Sequence, residues 1–519
     1  MTDPKASNLG YWTGDWPART PNRPAIIDLC GSPRTLSYAA LNARLDRVAT
    51  ALAAAGLLPG DRVVLSCGNR VEFIEAMFGA MRAGLVPVPI NTRQGFDVIA
   101  HIMADAAPRA VIAEPSANAA IIDHANARDD LALRLAIGAP APGFNDFEAA
   151  LSRADGPFTP PQLPEGALAF LSYTSGSTGR PKGVPLTHAG QLWWLHTYLT
   201  TWPPGEGLRA LVAVPLYHKN AMAGAIKPRL ASGGSVVLMP EFAARPFLTA
   251  IADHKVTHIS GVPTVFTLLL EETDLLESLD LSSLQLAVVG SAPVHEALEA
   301  AMAEKLNVAV LQSYGLTEGG PVMLGPPPDG RPVPRGSAGA AWPEGEVKLV
   351  GADGTESERA GELWVKNPGV TPGYYNLPEV NAERFRDGWL RTGDLFVKDA
   401  DGFFFFQGRV DDMFNCGGEN IYPREVENLI LTHPDVVDVC VVALPHATKG
   451  EAPVALVVVR EGSTATEATL RDHTLQNGPA YAHPRRLLLE TTPLPLTGAR
   501  KVDRKAIKTR LADLYGELG

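Results

Sequence analysis

Short apolar strands alternate with amphipathic helices from residue 37 onward, and this alternation constrains the fold more than any other feature of the chain. Residues 37–55 carry Leu41, Leu45, Val48 and Leu52 at helical spacing and stop at Gly56, a residue suited to a helix C-terminus. Residues 61–67 (DRVVLSC) then predict a short strand, 71–83 a helix, and 85–90 (LVPVPI) an extended apolar run. Apolar strands at 209–214, 234–239, 256–260 and 284–290 continue the pattern, which favours largely parallel sheets covered by helices. The fold class is α/β.

After about residue 335 the texture changes to short strands with turn signals at 346–350, 361–365 and 402–407, which predicts a smaller β-rich subdomain. Past Gly408 a second alternating segment begins, with helices over 423–431 and 466–475 and strands over 436–444 and 453–459. A domain boundary falls near residue 409. A chain of 519 residues exceeds the size at which one core usually keeps growing, so more than one domain is expected on length as well.

A formal net charge of -12 excludes a general nucleic-acid binder, because such proteins neutralise phosphates with clustered Lys and Arg. Any anionic ligand must therefore be gripped locally. Cys30, Cys67, Cys416 and Cys440 show no CxxC pairing, and they read as reduced thiols of a cytoplasmic protein. The N-terminus lacks a basic stretch followed by an apolar one, and the most apolar segment, 73–90, is interrupted by Glu75 and Arg82, so neither an export signal nor a membrane span is expected.

Residues 173–184 read YTSGSTGRPKGV. Glycines at 176 and 179 let backbone N–H groups approach an anion, the hydroxyls of Ser175, Ser177 and Thr178 donate further hydrogen bonds, and Lys182 supplies a charge matched to phosphate oxygens. The spacing is not that of a Walker loop, and GxGxxG and GxSxG are absent. A short Gly/Ser stretch alone is more often a flexible turn; it is the ordered combination of glycines, hydroxyls and lysine that points to a triphosphate.

With this run the chain resembles the adenylate-forming (AMP-binding) superfamily, of the acyl-CoA synthetase or carboxylate–CoA ligase type. The resemblance implies an N-terminal domain over 1–408 made of two helix-covered sheets and the β-rich subdomain, a hinge at 409–411 centred on Asp411, and a small mobile α+β C-terminal domain over 412–519. It implies that Thr174, Ser175, Gly176, Ser177, Thr178, Gly179 and Lys182 grip ATP, with Ser175, Thr178 and Lys182 on the β- and γ-phosphates. Residues 312–319 (QSYGLTEG) resemble the adenine and metal motif: Tyr314 and Gly315 against the base, Gln312 reading its amino group, Thr317 on phosphate and Glu318 on Mg2+, whose hard oxygen ligands suit few carboxylates shared with phosphates. Gly290, Ser291, Ala292 and Pro293 (GSAP) resemble the turn bordering the adenine.

Asp394 in 387–395 (DGWLRTGDL) and Arg409 in 407–412 (QGRVDD) resemble the pair that binds ribose hydroxyls, a site that needs an acid able to accept both hydrogens. Lys501 in 494–504 (LPLTGARKVDR) falls on the family's catalytic lysine, although Arg500 stands where glycine is usual. Gly417 and Gly418 in 415–420 (NCGGEN) resemble the loop lining the pantetheine tunnel of coenzyme A, and Arg485 in YAHPRR is placed for a CoA phosphate, with Ala482 replacing a common lysine. The implied catalytic residues are Lys501, Thr178, Glu318 and His218.

The resemblance further implies that the acid lies along 215–222 (PLYHKNAM), with His218 at the gate and Lys219, Asn220, Ser260, Gly290, Ser313 and Gly315 near the wall. Small and polar residues there imply an aromatic or medium-sized, oxygenated acid rather than acetate. Trp193, Trp194 and His196 either cap this pocket or pack, and packing is expected of at least one tryptophan. The reaction implied is ATP-dependent activation of a carboxylic acid to acyl-AMP, then transfer to CoA. A stand-alone enzyme loading an acyl carrier protein is the alternative, and a binding protein with decayed catalysis is disfavoured because no expected catalytic residue is missing. A homodimer is left open.

Overall fold

The computed structural model describes residues 3–31, 33–175, 180–290, 294, 296–320, 322–417, 419–479, 482–497 and 502–518, with only the backbone at Ser175 and Asn420. The chain divides into two compact units, one of residues 1–347 and 365–391 and one of 348–364 and 392–519.

The first unit holds two sheets with parallel cores, as the alternation requires. In the seven-stranded sheet Pro24–Asp28, Arg209–Val212, Ser235–Leu238, His258–Gly261, Leu286–Val289 and Ala309–Gln312 run parallel, and Arg34–Ser37 closes one edge antiparallel. The second sheet pairs Arg62–Ser66 in parallel with Val86–Pro89 and Ala110–Ala113, and extends through Leu133–Ala136 to Asn145–Asp146. The helix Tyr38–Ala54 starts at its Ser37 cap, whose hydroxyl accepts from Ala40 N, and buries Leu41, Leu45, Val48 and Leu52 on one face.

Glu75 and Arg82, which interrupt the apolar run, sit in a helix, Val71–Arg82, that is buried along its whole length. Such a helix tolerates charges only when they are paired. Arg44 meets Glu75 at 2.7 Å, and Arg82 meets Asp46 at 2.6 Å. Among the described residues no helix is long and apolar enough to cross a membrane.

A long hairpin, Leu168–Ser175 and Pro181–Thr187, carries the glycine-rich run, its pairing described from Leu168↔Thr187 to Ser175↔Pro181. Thr187 caps the helix His188–Thr201. On that helix Trp194 is buried against Tyr198 and Trp342, at ring centroids of 5.7 and 6.0 Å, so it packs as expected. Trp193 donates to Glu344 at 2.9 Å, and His196 is exposed.

In the second unit an antiparallel hairpin joins Trp389–Lys398 to Phe404–Arg409 and pairs Asp394 directly with Arg409. The C-terminal sheet follows from Phe414–Cys416, Glu419–Ile421, Val436–His446, Gly450–Val459 and Arg486–Glu490, with helices Pro423–Leu431, Glu467–Asn477 and Arg504–Tyr515. The boundary read from the sequence at 408 falls inside this unit, because the hairpin ties Asp394 to the strand that ends at Arg409.

Candidate active site

Strand register decides where the chemistry gathers. Gly261 pairs with Val289 and Val289 with Gln312, so three parallel strands end level. The residues that follow, Gly290 and Ser313, emerge at their carboxyl ends, the side on which open α/β sheets hold ligands. A Cβ built on Gly290 would lie 3.7 Å from the Ser313 carbonyl oxygen, and one on Gly224 would lie 3.0 Å from Asn220 Oδ1 and 3.8 Å from Ser260 Oγ. The structure therefore brings together Gly290 with Ser313 and Asn220 with Ser260. His218 lies half-buried at the start of the turn Lys219–Ala221, its ring 4.7 Å from that of Tyr217, and Lys219 Nζ donates to the Gly320 carbonyl at 3.4 Å. Gly315 is half-buried just beyond Tyr314.

The hairpin and the 312–319 motif converge on one carboxylate. Glu318 Oε1 accepts from the hydroxyl of Tyr374 at 3.0 Å and, loosely, from that of Thr174 at 3.5 Å. Thr174 pairs across the hairpin with Lys182, whose ammonium stands 5.4 Å from the centre of the Tyr374 ring. Burial, and then the Glu318 charge, push the Tyr374 phenol well above its ordinary range, so it remains a donor. The segment bearing Tyr374 is itself tied to the hairpin: Tyr375 N donates to Gly183 O at 2.8 Å, Thr371 Oγ1 to Pro185 O at 2.7 Å, and Thr371 N to Glu318 O at 2.8 Å. Gly183 is required by this approach, since a Cβ there would meet Tyr375 Cβ at 3.1 Å.

Glu318 is thus a carboxylate held by two hydroxyls, with Thr317 half-buried beside it. Among the described residues no cluster of three or more His, Cys, Asp or Glu could hold a metal. A divalent ion at Glu318 would take most of its oxygens from a ligand, which fits a hard cation such as Mg2+ shared with phosphates.

At the adenine motif, Tyr314 exchanges backbone hydrogen bonds with 323–324, and Gln312 Nε2 donates to Glu299 Oε2 at 2.7 Å. That bond fixes the carboxamide by its N–H and orients its carbonyl oxygen as the acceptor, the group needed to read an amino donor.

In the second unit Asp394 is buried and faces Arg409 at 3.8 Å. The Thr392 hydroxyl accepts from Asp394 N at 3.1 Å, and Glu362 accepts from Gly393 N at 3.0 Å, so two polar side chains set the turn that aims the carboxylate. Asp411 lies in a 3-10 turn, Val410–Asp412, 3.7 Å from the Arg409 guanidinium. Gly417 has φ +65, which suits glycine, and donates to Lys449 O at 3.0 Å. Arg485 does not point free: its Nη1 lies 2.7 Å from the buried His483 imidazole.

Gly176, Ser177, Thr178, Gly179, Ser291, Ala292, Pro293, Gly418 and Lys501 lie outside the described residues, as does the side chain of Ser175. Tyr374, Glu299 and Glu362 were not legible as site residues. Tyr374 had a signal in the run 371–376 (TPGYYN), a polar aromatic pair after Pro-Gly; Glu299 and Glu362 had none.

The AMP-binding enzyme model matches residues 14–375, and the AMP-binding enzyme C-terminal domain model matches 425–501. Feruloyl-CoA synthase from Amycolatopsis sp is 35% identical over 502 residues, covering 96% of this chain and 98% of that one. Fatty acid–[acyl-carrier-protein] ligase ScoC from Streptomyces coeruleorubidus is 31% identical over 525 residues, covering 98% and 97%. The crystal structure of ATP-bound MatB from Rhodopseudomonas palustris superposes with a TM-score of 0.89 at 31% identity, covering 98% of this chain and 99% of that one.

Proposed function

The chain belongs to the AMP-binding enzyme family and is an acid–thiol ligase of acyl-CoA synthetase type, and on that premise we propose that it joins an aromatic or medium-sized, oxygenated carboxylic acid to CoA through an acyl-AMP. The observation that carries this reading is the Glu318 carboxylate held by Tyr374 and by Thr174, which pairs with Lys182 near the turn end of the glycine-rich hairpin.

Lys182 and the hydroxyls of the 174–178 run bind the β- and γ-phosphates, and Glu318 would hold Mg2+. The ion, when bound, neutralises phosphate charge as it develops. Gln312 takes the adenine amino group on its carbonyl oxygen, and Asp394 accepts the ribose hydroxyls. His218 gates the acid, whose walls are Asn220, Ser260, Gly290 and Ser313. A carboxylate oxygen attacks the α-phosphorus, the bond to the pyrophosphate oxygen breaks, and Lys501 stabilises the charge that builds there. The domain beyond Asp411 then turns, withdrawing Lys501 and presenting Gly417 and Gly418 to pantetheine, and the CoA thiolate displaces AMP. Arg485 reaches a CoA phosphate only by leaving His483.

The likeness to the carrier-protein ligase supports a second reading, in which a carrier thiol replaces CoA. AMP release from a panel of acids, with and without CoA, separates the two: thioester on CoA supports the ligase, and acid activation without CoA turnover supports the carrier loader. Lys501→Ala should abolish adenylate formation and spare thioester formation from supplied acyl-AMP. Equal loss of both steps overturns the role given to Lys501.

A further inference from the structure

Glu299 is a carboxylate that no motif marked, and the fold carries it to the adenine motif. The strand Leu286–Val289, the helix Glu296–Lys305 and the parallel strand Ala309–Gln312 make one crossover unit, with Val289 paired to Gln312. The first turn of such a helix stands by the carboxyl ends of the two strands it joins. Glu299 lies in that turn, and its Oε2 accepts from Gln312 Nε2 at 2.7 Å. The same oxygen accepts from Gly336 N at 3.3 Å, where a φ of +73 suits glycine. One carboxylate therefore ties the helix, the strand end and the segment at 336 together.

An ionised carboxylate accepts hydrogen bonds and donates none, so the Gln312 atom that meets it must be the amide nitrogen. Without such a partner the two ends of a carboxamide are nearly equal in size, and a half-turn about the last side-chain bond exchanges donor for acceptor. Glu299 removes that freedom. Among the described residues no donor meets the Gln312 carbonyl oxygen, which leaves it to a ligand. The two purine bases differ at the matching position: adenine offers an amino donor on C6, and guanine an oxygen acceptor. A fixed carbonyl oxygen bonds the first and repels the second.

Resting on the reading of Gln312 as the residue that meets the base, we propose that Glu299 is the positioning residue that makes this enzyme select ATP over GTP. Glu299 does not touch the nucleotide. It acts through Gln312, whose carboxamide it locks in the orientation that accepts from the adenine amino group. The bond from Gly336 N holds the carboxylate in turn, so the lock has an anchor besides Gln312 itself.

The test is pyrophosphate release by the full-length enzyme, with an acid that the panel above shows to be activated, from ATP, GTP and purine riboside triphosphate, which carries only hydrogen on C6. The native enzyme should favour ATP over purine riboside triphosphate by about tenfold and over GTP by about a hundredfold in kcat/KM, because a site built to hydrogen-bond a substrate group rejects the analogue lacking it. Glu299→Leu should lower the ATP:GTP ratio by about tenfold or more, chiefly through a higher KM for ATP, since the freed carboxamide can turn its amino group to the guanine oxygen. Glu299→Gln, whose carbonyl still accepts from Gln312, should keep most of the ratio. Each ratio is taken within one variant, so a smaller folded fraction does not alter it. A native ratio in Glu299→Leu, with Gln312→Leu lowering it, would overturn the proposal, because Gln312 would then keep its orientation unaided. A native ratio in Gln312→Leu would instead strike the adenine reading of Gln312, and the proposal with it.

Discussion

The phosphate end and the acid end of the first unit lie close together yet are built from different kinds of sequence. At the phosphate end Thr174, Lys182 and Glu318 belong to runs whose order is itself informative, and the fold brings them together through a hairpin and a strand end. At the acid end Asn220, Ser260, Gly290 and Ser313 come from separate stretches of the chain, and the fold brings Asn220 to Ser260 and Gly290 to Ser313. Chemistry common to all substrates constrains many neighbouring positions at once. Selectivity for one substrate can rest on one or two residues, which leave no pattern.

If that contrast is right, substitutions at the phosphate end should depress every acid alike. Glu318→Gln should have the largest effect, lowering acid-dependent pyrophosphate exchange by about 10²–10³, the scale seen when one electrostatic partner of a developing charge is removed. Thioester formation from supplied acyl-AMP should survive. A fall that differs sharply between acids would place Glu318 at the acid end and break the comparison.

Tyr374→Phe should come next. It keeps the ring against Lys182 and removes the hydroxyl that bonds Glu318 at 3.0 Å and also engages Arg384, so the rate of adenylate formation should drop about tenfold, the scale of a hydrogen bond to a charged group. The same acids should be affected in the same proportion. An unchanged exchange rate would mean that Thr174 and the docked 371–375 segment hold Glu318 unaided.

The fold was legible where periodicity was strong. The helix read over 37–55 forms over Tyr38–Ala54 with its Ser37 cap, and the strands read at 209–214, 234–239, 256–260 and 284–290 all lie in the seven-stranded sheet. Gathering of the site was legible only in part. The motif runs named Thr174, Lys182 and Glu318, but the hydroxyl that holds Glu318 comes from Tyr374, fifty-six positions away in sequence, and no local pattern reports such a contact. Arg485 shows the converse: its residue type suited a phosphate, whereas the partner that engages it, His483, follows from strand geometry near Pro453. The pairing of Asp394 with Arg409 is likewise tertiary information that no local pattern carries.

Away from both ends Lys227 is buried and donates to Gln191 Oε1 at 2.7 Å; Lys227→Met should leave KM for ATP unchanged, and its effect should appear in stability. Burial lowers the Lys227 pKa from the ordinary 10.5 to about 7, so between those values the unfolded chain holds a proton that the native protein has released. The unfolded state then binds more protons, and native stability attributable to Lys227 rises with pH across that window by at most about 1.4 kcal/mol per pH unit. Below about pH 7 both states are protonated and the burial penalty is fully present. The methionine variant lacks this term, so its stability advantage over the native enzyme should be greatest near neutral pH and shrink as pH approaches 10. Denaturant midpoints of the two proteins across that range measure the gap. A gap that stays flat would mean that Lys227 keeps its proton in the fold.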